Sequence, residues 1–271
     1  MINSNMLYSD FLNFWFETYK KPYLKKSSLN SILRTIKNDI SITIKNMRLC
    51  DLKVVEIDKC LAMIDLSRSR KYAYYVYHNS LLKAFNLDLL KSNIAEKIEK
   101  IKHKPKKSMP LTIEEQDKFL KKIKGTTYEN AFKFLLYSGL RRNELINLEF
   151  KDFHLKDKYI LVRGTKNEYS NRVIPLTELL LDIYLSQKAI VKGERVFPYH
   201  SDTLTHHFKK YCRNHHLHEL RHTFITRCAE SNLNINVVSR IVGHSNISTT
   251  IDIYTRVNPN ILISEIKKLK I

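Results

Sequence analysis

The chain has 271 residues, a formal net charge of +20 and a hydrophobic fraction of 43%. That apolar fraction is ordinary for a globular protein with a core, and the length allows one large domain or two modest ones. The positive excess favours a polyanionic partner, because binding one releases counterions, although a solvated lysine-rich surface is the alternative. No apolar stretch approaches the roughly 20 residues that a membrane span needs, which argues against a membrane protein.

Cysteine usage and the N-terminal segment indicate the cellular compartment. The four cysteines form no C-x-x-C pair, and no basic segment followed by an apolar run opens the chain. We therefore expect a soluble, cytoplasmic protein with reduced thiols. The cysteines are Cys50, Cys60, Cys212 and Cys228.

Residues 1–100 are predicted to be helical, because apolar residues recur there at helical spacing. Pro22 ends the first predicted helix, Ser27 or Ser28 is the expected cap of the second, and a third begins near Val55. The apolar faces of the first two helices are Leu7, Phe11, Phe14 and Trp15, and then Leu29, Ile32, Leu33, Ile36 and Ile40.

Residues 101–110 form a predicted basic linker, because two prolines and a run of lysines oppose both helix and strand. The lysines are expected to cross a DNA backbone, and a flexible linker without a binding role is the alternative, although the two are compatible. The predicted DNA-binding lysines are Lys102, Lys104, Lys106 and Lys107.

A helix is predicted to start at Thr112, where a hydroxyl precedes acidic residues in the first turn. Farther along, Gly139 is expected to end one helix and to introduce the pattern G-L-R-x-x-E-L. Within that pattern Arg141 lies three residues before Glu144, which can hold an arginine by hydrogen bonds, while Arg142 is expected to point elsewhere. An isolated pair of this kind is usually a surface ion pair of little energy.

Between residues 159 and 176 the apolar pattern changes to a period of two, which predicts a β-hairpin. Its connection carries Lys166. A lysine in a turn is usually only solvated, but on a mobile turn it can also reach a leaving oxygen and donate a proton.

Seven histidines crowd the chain between His200 and His222, together with Cys212, so a zinc site must be considered. The single cysteine and the adjacent histidine pairs match no zinc-ligand spacing. We therefore predict no metal, and we interpret the histidine pairs as DNA or surface contacts.

The segment from His218 to Tyr254 contains the residue types that phosphodiester chemistry needs. His218 and Arg221 are three residues apart and would share one helix face. Arginine offers a planar fork to two phosphate oxygens, histidine moves a proton near neutral pH, and tyrosine can become a covalent nucleophile. His244 directly follows Gly243 and lies between Arg221 and Tyr254 in the chain.

This order of motifs, H-x-L-R-H, then G-H-S and then tyrosine, resembles the tyrosine recombinase (phage integrase) family. Val242 stands where that family usually has leucine. The resemblance implies a mainly α fold with a small β-sheet or hairpin in the C-terminal domain, in a two-domain C-shaped DNA clamp. It implies catalytic roles for Arg141, Lys166, His218, Arg221, His244 and the nucleophile Tyr254, with Glu144 and His222 in support.

The resemblance also implies the domain organisation. It implies a core-binding domain at 1–100, a linker at 101–110, a catalytic domain at 111–258 and an amphipathic tail at 259–271. The tail is expected to dock on a neighbouring protomer, with packing on its own domain as the alternative. Since the helical region begins almost at Met1, we expect no arm-binding domain before it.

The activity implied is site-specific recombination through a 3′-phosphotyrosyl intermediate, without cofactor or metal. The implied partners are a double-stranded DNA recombination site, a homotetramer on synapsed DNA, and accessory DNA-bending or directionality factors. Two alternatives are a catalytically inactive DNA-binding regulator with this fold and a type IB topoisomerase.

Overall fold

The computed structural model divides into two compact units, Met1–Lys106 and Lys107–Ile271, each with its own hydrophobic core. No helix among the described residues is long and apolar enough to cross a membrane. The functions predicted for the domains remain predictions. The structure describes residues 2–102, 108–164, 171–244, 247–248 and 250–251.

The described part of the first unit is helical, as predicted, and packs around aromatic side chains. Trp15 and Tyr8 are almost fully buried, and the Tyr8 hydroxyl lies 2.6 Å from Ser80 Oγ, so the buried oxygen has a partner. The helices are α1 (Tyr8–Tyr19), α2 (Lys26–Asn38), α3 (Ile42–Lys45), α4 (Val54–Ala62) and α5 (Ser67–Phe85), with short 3-10 turns at Leu49–Asp51 and Ala95–Lys97.

Three details of the first unit differ from the sequence prediction. Helix α2 begins at Lys26, with Lys25 as its N-cap, so the predicted serine cap was wrong. Leu7 is 39% exposed because it precedes α1 and pairs with Arg48 in an isolated β-bridge. Leu33 is 45% exposed because it lies one position past the buried Ile32, and consecutive helical residues point about 100° apart.

The second unit combines seven described helices with one small sheet. The predicted start at Thr112 is confirmed as a reciprocal capping box with Glu115, at 3.2 and 2.9 Å. The elements are α6 (Ile113–Ile123), α7 (Glu129–Ser138), α8 (Arg142–Ile146), a 3-10 turn at Phe150–Asp152, β1 (Phe153–His154), β2 (Tyr159–Val162), β3 (Arg172–Pro175), α9 (Glu178–Ile190), α10 (Ser201–Tyr211), α11 (Glu219–Glu230) and α12 (Ile235–Val242).

The sheet contains the predicted hairpin and one strand that the sequence analysis missed. Its order is β1-β2-β3 with both pairs antiparallel, and Ile160 faces Phe153 on one side and Ile174 on the other. The missed strand is two residues long, too short to show an alternating pattern. Ile160, Val162 and Ile174 are buried, so one face of the sheet belongs to the core.

Helix α11 is central to the second unit. It packs against α7 on one side and α12 on another. Leu220, Thr223 and Ile225 are each at most 1% exposed, so the helix is buried on more than one face. The residues just before it and within it therefore have little freedom to move.

Candidate active site

Two helix ends provide carbonyl groups for two arginines, Arg221 and Arg141. Gly139 ends α7 at φ +65° and Gly243 ends α12 at φ +67°, in the left-handed conformation that glycine adopts without strain. The last carbonyls of a helix have no intrahelical partner and lie at the negative end of its dipole. They are therefore suited to accept hydrogen bonds from guanidinium groups.

Arg221 is a buried arginine on α11 and is only 2% exposed. Its Nη1 donates to the carbonyl of Gly139 at 2.9 Å. Its Nε and Nη2 have no hydrogen-bond partner among the described residues. Burial, followed by the charges of Arg141 and Arg172, lowers the pKa of Arg221 to about 9, although Glu144 opposes the shift.

Arg141 lies at the start of α8 and is held from two sides. Its Nη1 donates to Glu144 Oε1 at 2.7 Å, and its Nη2 donates to the carbonyl of Gly243 at 2.7 Å. Its side chain is 39% exposed, whereas that of Glu144 is 2% exposed. The neighbouring Arg142 points elsewhere, as predicted, and donates to Thr205 on α10 at 2.8 Å.

Arg172 is a third arginine of this cluster, and the sequence analysis missed its role. It begins β3 and donates to both carboxylate oxygens of Glu144, at 3.0 and 2.8 Å. A signal for it existed: Arg172 lies two residues before Ile174, so strand periodicity places both on the buried face of the sheet. Burial opposes ionisation of Glu144, but Arg172 and then Arg141 lower its pKa to about 2.

His218 and His222 form an imidazole pair beside the arginines. His218 is the residue immediately before α11, and its ring lies 5.0 Å from that of His222 at an interplanar angle of 86°. Part of His218 is open to solvent. Desolvation, followed by the charges of His222, Arg221 and Arg141, lowers the pKa of His218 to about 4.

His244 follows the glycine that ends α12. Its Nδ1 lies 2.7 Å from the hydroxyl oxygen of Thr250, which is fully buried. Desolvation, followed by the charges of Arg221, Arg141 and the two histidines of the pair, lowers the pKa of His244 to about 4. His244 is thus close enough for the charges of both arginines and both other imidazoles to lower its pKa.

No group of three or more His, Cys, Asp and Glu side chains in the described part of the chain could hold a metal ion. The prediction that the adjacent histidines make DNA or surface contacts was wrong for His215, which is buried. Its ring is buried between two carboxylates, 2.7 Å from Glu219 and 3.3 Å from Glu115. Glu219 also accepts hydrogen bonds from Ser108 and Met109, which attach the C-terminal end of the predicted linker to α11.

The motifs and this geometry agree with comparisons to known proteins. A family model described as "Phage integrase family" matches residues 97–260, more than half of the chain. The chain belongs to the phage integrase family. A second model, described as "Phage integrase, N-terminal SAM-like domain", matches residues 7–62 of this family member.

Curated relatives of this integrase-family chain are tyrosine recombinases. Tyrosine recombinase XerA of Pyrococcus horikoshii is 29% identical over 228 residues, which cover 76% of this chain and 78% of that protein. Tyrosine recombinase XerA of Thermococcus onnurineus is 36% identical over 182 residues, or 60% of this chain and 64% of that protein. The predicted family is confirmed, and this chain is a site-specific recombinase. These relatives give no support to a regulator or a type IB topoisomerase.

Solved integrases share the fold. A lambda integrase dimer bound to a COC′ core site aligns with a TM-score of 0.80 and 19% identity, covering 93% of this chain and 78% of that chain. The Tn1549 transposon integrase in complex with a circular intermediate DNA aligns with a TM-score of 0.75 and 19% identity, covering 97% of this chain and all of that chain. The predicted mainly helical fold with a small sheet is therefore confirmed.

The structure brings six of the predicted site residues into one cluster of the second unit. Lys166 and Tyr254 lie outside the described residues, as do Lys104, Lys106 and Lys107. Lys102 is described and exposed. The six clustered residues are Arg141, Glu144, His218, Arg221, His222 and His244.

Proposed function

We propose that this recombinase cuts and rejoins double-stranded DNA by attacking a backbone phosphate with the hydroxyl of Tyr254. One observation carries the proposal: buried Arg221 has two guanidinium nitrogens without a partner among the described residues. A buried donor left unsatisfied costs about 1–3 kcal/mol, so such an arrangement is retained where a ligand supplies the acceptor. The nonbridging oxygens of a phosphodiester are acceptors of that kind.

The charge around Arg221 supports an anionic ligand. Three guanidinium groups gather around the carboxylate of Glu144, so the cluster holds more positive than negative charge. Arg141 is partly exposed and so can meet a ligand from solvent. We propose that Arg141 and Arg221 bind the nonbridging oxygens and stabilise the charge that develops on them during attack.

The imidazoles are suited to proton transfer and hydrogen bonding. His218 and His244, whose pKa values are about 4, are neutral near pH 7 in the unliganded site. A neutral His218 can accept the proton of the Tyr254 hydroxyl, whose ordinary pKa of about 10 makes it a weak nucleophile unaided. In this proposal His244 donates a hydrogen bond to the phosphate, and His222 and Glu144 support the groups beside them.

The reaction is a balanced exchange of phosphate esters. The tyrosine oxygen bonds to phosphorus, the bond to the 5′-oxygen breaks, and Lys166 donates a proton to that oxygen. The products are a 3′-phosphotyrosyl link and a free 5′-hydroxyl. A 5′-hydroxyl from another strand then attacks the link and releases the tyrosine, so neither ATP nor a metal is required for the balance.

The remaining predictions concern assembly. We propose that residues 1–100 bind the core DNA site, that the four linker lysines contact its backbone, and that 111–258 is the catalytic domain. A lambda integrase tetramer bound to a Holliday junction has a similar fold, which supports a homotetramer on synapsed DNA. Docking of the 259–271 tail in trans, accessory DNA-bending or directionality factors, and action in the cytoplasm belong to the same proposal.

A covalent trapping experiment tests the chemistry. DNA that crosslinks to the protein is sequenced and rebuilt as a duplex with a nick beside the cleavage point, so that the released fragment cannot rejoin. We expect wild type to form a covalent adduct in the presence of EDTA, Tyr254→Phe to form none, and Tyr23→Phe, at an exposed tyrosine, to behave as wild type. Binding of this duplex without an adduct from wild type would instead favour an inactive regulator.

A plasmid assay separates recombination from relaxation. A supercoiled plasmid carrying two copies of the site is incubated with the protein, and the products are resolved by gel electrophoresis and restriction mapping. We expect rearranged products. Relaxed topoisomers with the parental restriction map would identify a topoisomerase, which shares this chemistry.

A further inference from the structure

Arg172 connects three segments of the second unit at one point. Its Nη1 and Nη2 donate to Glu144, and its Nε donates to the carbonyl of Ile241 at 2.6 Å. Its side chain is only 9% exposed. A single side chain from β3 thus binds the first turn of α8 and the last turn of α12.

Glu144 is shared between Arg172 and Arg141. Oε1 accepts from both guanidinium groups, at 3.0 and 2.7 Å, and Oε2 accepts from Arg172 at 2.8 Å and from the backbone N–H of Arg141 at 2.8 Å. The direction of the Arg141 side chain therefore depends on a carboxylate whose own position is set by Arg172.

The same arginine also contacts the glycine beside His244. A Cβ added to Gly243 would lie 3.0–3.1 Å from Cδ, Nε and Nη1 of Arg172. The carbonyl of Gly243 in turn accepts from Nη2 of Arg141 at 2.7 Å. The contacts close into a ring that runs from Arg172 through Glu144 to Arg141, then to Gly243 and back.

We propose that Arg172 is a positioning residue for strand cleavage: from the hairpin it holds Arg141 and the turn before His244 in the arrangement that binds the scissile phosphate. This inference rests on the proposed function of the site. Arg172 itself is too buried, and too fully engaged with Glu144 and Ile241, to serve as a further phosphate ligand.

The competing explanation is that Arg172 is simply a buried ion pair that stabilises the fold. Arg163 offers a matched control, because it follows the adjacent strand and also binds a carboxylate with two nitrogens, through Asp152. Its partners Asp152 and Glu149 belong to a different cluster. Replacing Arg163 should therefore lower stability but leave the positions of Arg141 and His244 unchanged.

The test compares Arg172→Met, Arg172→Lys and Arg163→Met in the full chain. Single-turnover adduct formation on the nicked duplex is measured together with the Kd for that duplex and the Tm. We expect Arg172→Met to slow adduct formation by about 100-fold with an unchanged Kd, because small displacements of a catalytic group carry costs of that size. Lysine should restore only part of the rate, since it lacks the two-pronged geometry, and Arg163→Met should keep the wild-type rate.

The pH dependence of the adduct rate tests the positioning role, because a purely structural role of Arg172 would leave it unchanged. Glu144 is faced by Arg172 from β3, by Arg141 from α8 and by Arg221 from α11. Without Arg172 its burial remains while its main counter-charge is lost, so its pKa rises. We expect an additional loss of rate in Arg172→Met as pH falls, and we expect Glu144→Gln in that background to remove the added pH dependence.

Binding of inorganic phosphate is monitored by 31P NMR at constant ionic strength. It distinguishes failure of this inference from failure of the proposed function. If wild type binds phosphate more tightly than Arg172→Met but forms no adduct, Arg172 positions a phosphate-binding site and the proposed cleavage activity fails. If Arg172→Met and Arg163→Met match each other in phosphate affinity, adduct rate and pH profile, the inference is overturned while the function stands.

Discussion

Two arginine clusters lie beside the β2–β3 hairpin, and they differ in charge balance. At one, Arg163 and Lys151 are paired with Glu149 and Asp152, two cations with two carboxylates. At the other, Arg141 and Arg172 donate hydrogen bonds to Glu144, and Arg221 lies near enough for the charge of Glu144 to affect its pKa. Among the described residues, Glu144 is the one carboxylate that hydrogen-bonds these arginines. Similar side chains on neighbouring strands thus form a neutral cluster in one place and a cationic one in the other.

The pKa shifts express the same difference. Hydrogen bonds that Arg163 donates to Asp152 and then to Glu149 raise its pKa, whereas burial and neighbouring cations lower that of Arg221 to about 9. Arg163, which is paired with two carboxylates, has its counter-charge within the fold. Arg221 shares the one nearby carboxylate with two other arginines, which supports the proposed binding of an external anion. Charge balance, rather than the number of ion pairs, thus separates the candidate site from the rest of the fold.

The largest expected effect comes from removing the unsatisfied arginine. Arg221→Met should slow adduct formation by about 1000-fold, the scale for losing a preorganised donor to a developing oxyanion. The same substitution should leave the free energy of unfolding unchanged or raise it, because it removes buried donors that lack partners. Single-turnover kinetics and urea denaturation check the two parts.

Substitution of Arg163 in the neutral cluster should have the opposite effects on rate and stability. Arg163→Met should leave the adduct rate at the wild-type value and lower the free energy of unfolding by about 1 kcal/mol or less, since the Arg163 side chain is 45% exposed. A loss of stability in Arg221→Met larger than that in Arg163→Met would contradict the distinction between the clusters.

Alanine substitutions at two glycines test how the surrounding structure holds Arg221. Gly139 and Gly125 both have positive φ, so alanine at either should cost about 1–2 kcal/mol of backbone strain. At Gly139 the new Cβ would also lie 2.5 Å from Phe224 Cδ1, whereas at Gly125 it would meet nothing within 4 Å. We expect Gly139→Ala to be less stable than Gly125→Ala by about 1–3 kcal/mol in urea denaturation.

Activity separates these two variants further. The Gly139 carbonyl accepts from Arg221, and Phe224 lies on the same helix as that arginine. Gly139→Ala should therefore slow adduct formation, while Gly125→Ala should not. Equal stability and equal rates in the two variants would mean that the α7–α11 contact does not position Arg221.

The sequence predicted those parts of the site whose partners are close along the chain. Gly139, Arg141 and Glu144 belong to one helix end and the start of the next, so spacing alone indicated their proximity. His218, Arg221 and His222 begin a single helix, where a separation of three or four residues implies a shared face. The hairpin was likewise visible from its period of two.

The missed parts depend on contacts between distant segments. Arg172 reaches Glu144 across 28 residues and Ile241 across 69 residues, and no local pattern encodes those partners. The adjacent pair His215–His216 predicts DNA or surface contacts, which is wrong for His215. Its burial depends on Glu115, which another helix brings next to it. The balance of charge, on which the two clusters differ, likewise appears only after folding.

The smallest predicted effect concerns pH and follows from the excess positive charge of the site. The folded pKa values of His218 and His244, about 4, lie below the ordinary histidine value of about 6.5. Between these values the unfolded chain binds protons that the folded site resists, so stability is full above pH 6.5 and falls as pH decreases toward 4. Thermal unfolding between pH 7 and 5 should show this fall, with a smaller slope in His244→Gln. Inorganic phosphate at constant ionic strength should also reduce the slope, because an anion beside the arginines favours the protonated imidazoles. A His244→Gln slope equal to that of wild type would show that the cluster does not lower this pKa, and would remove the electrostatic contrast with Arg163.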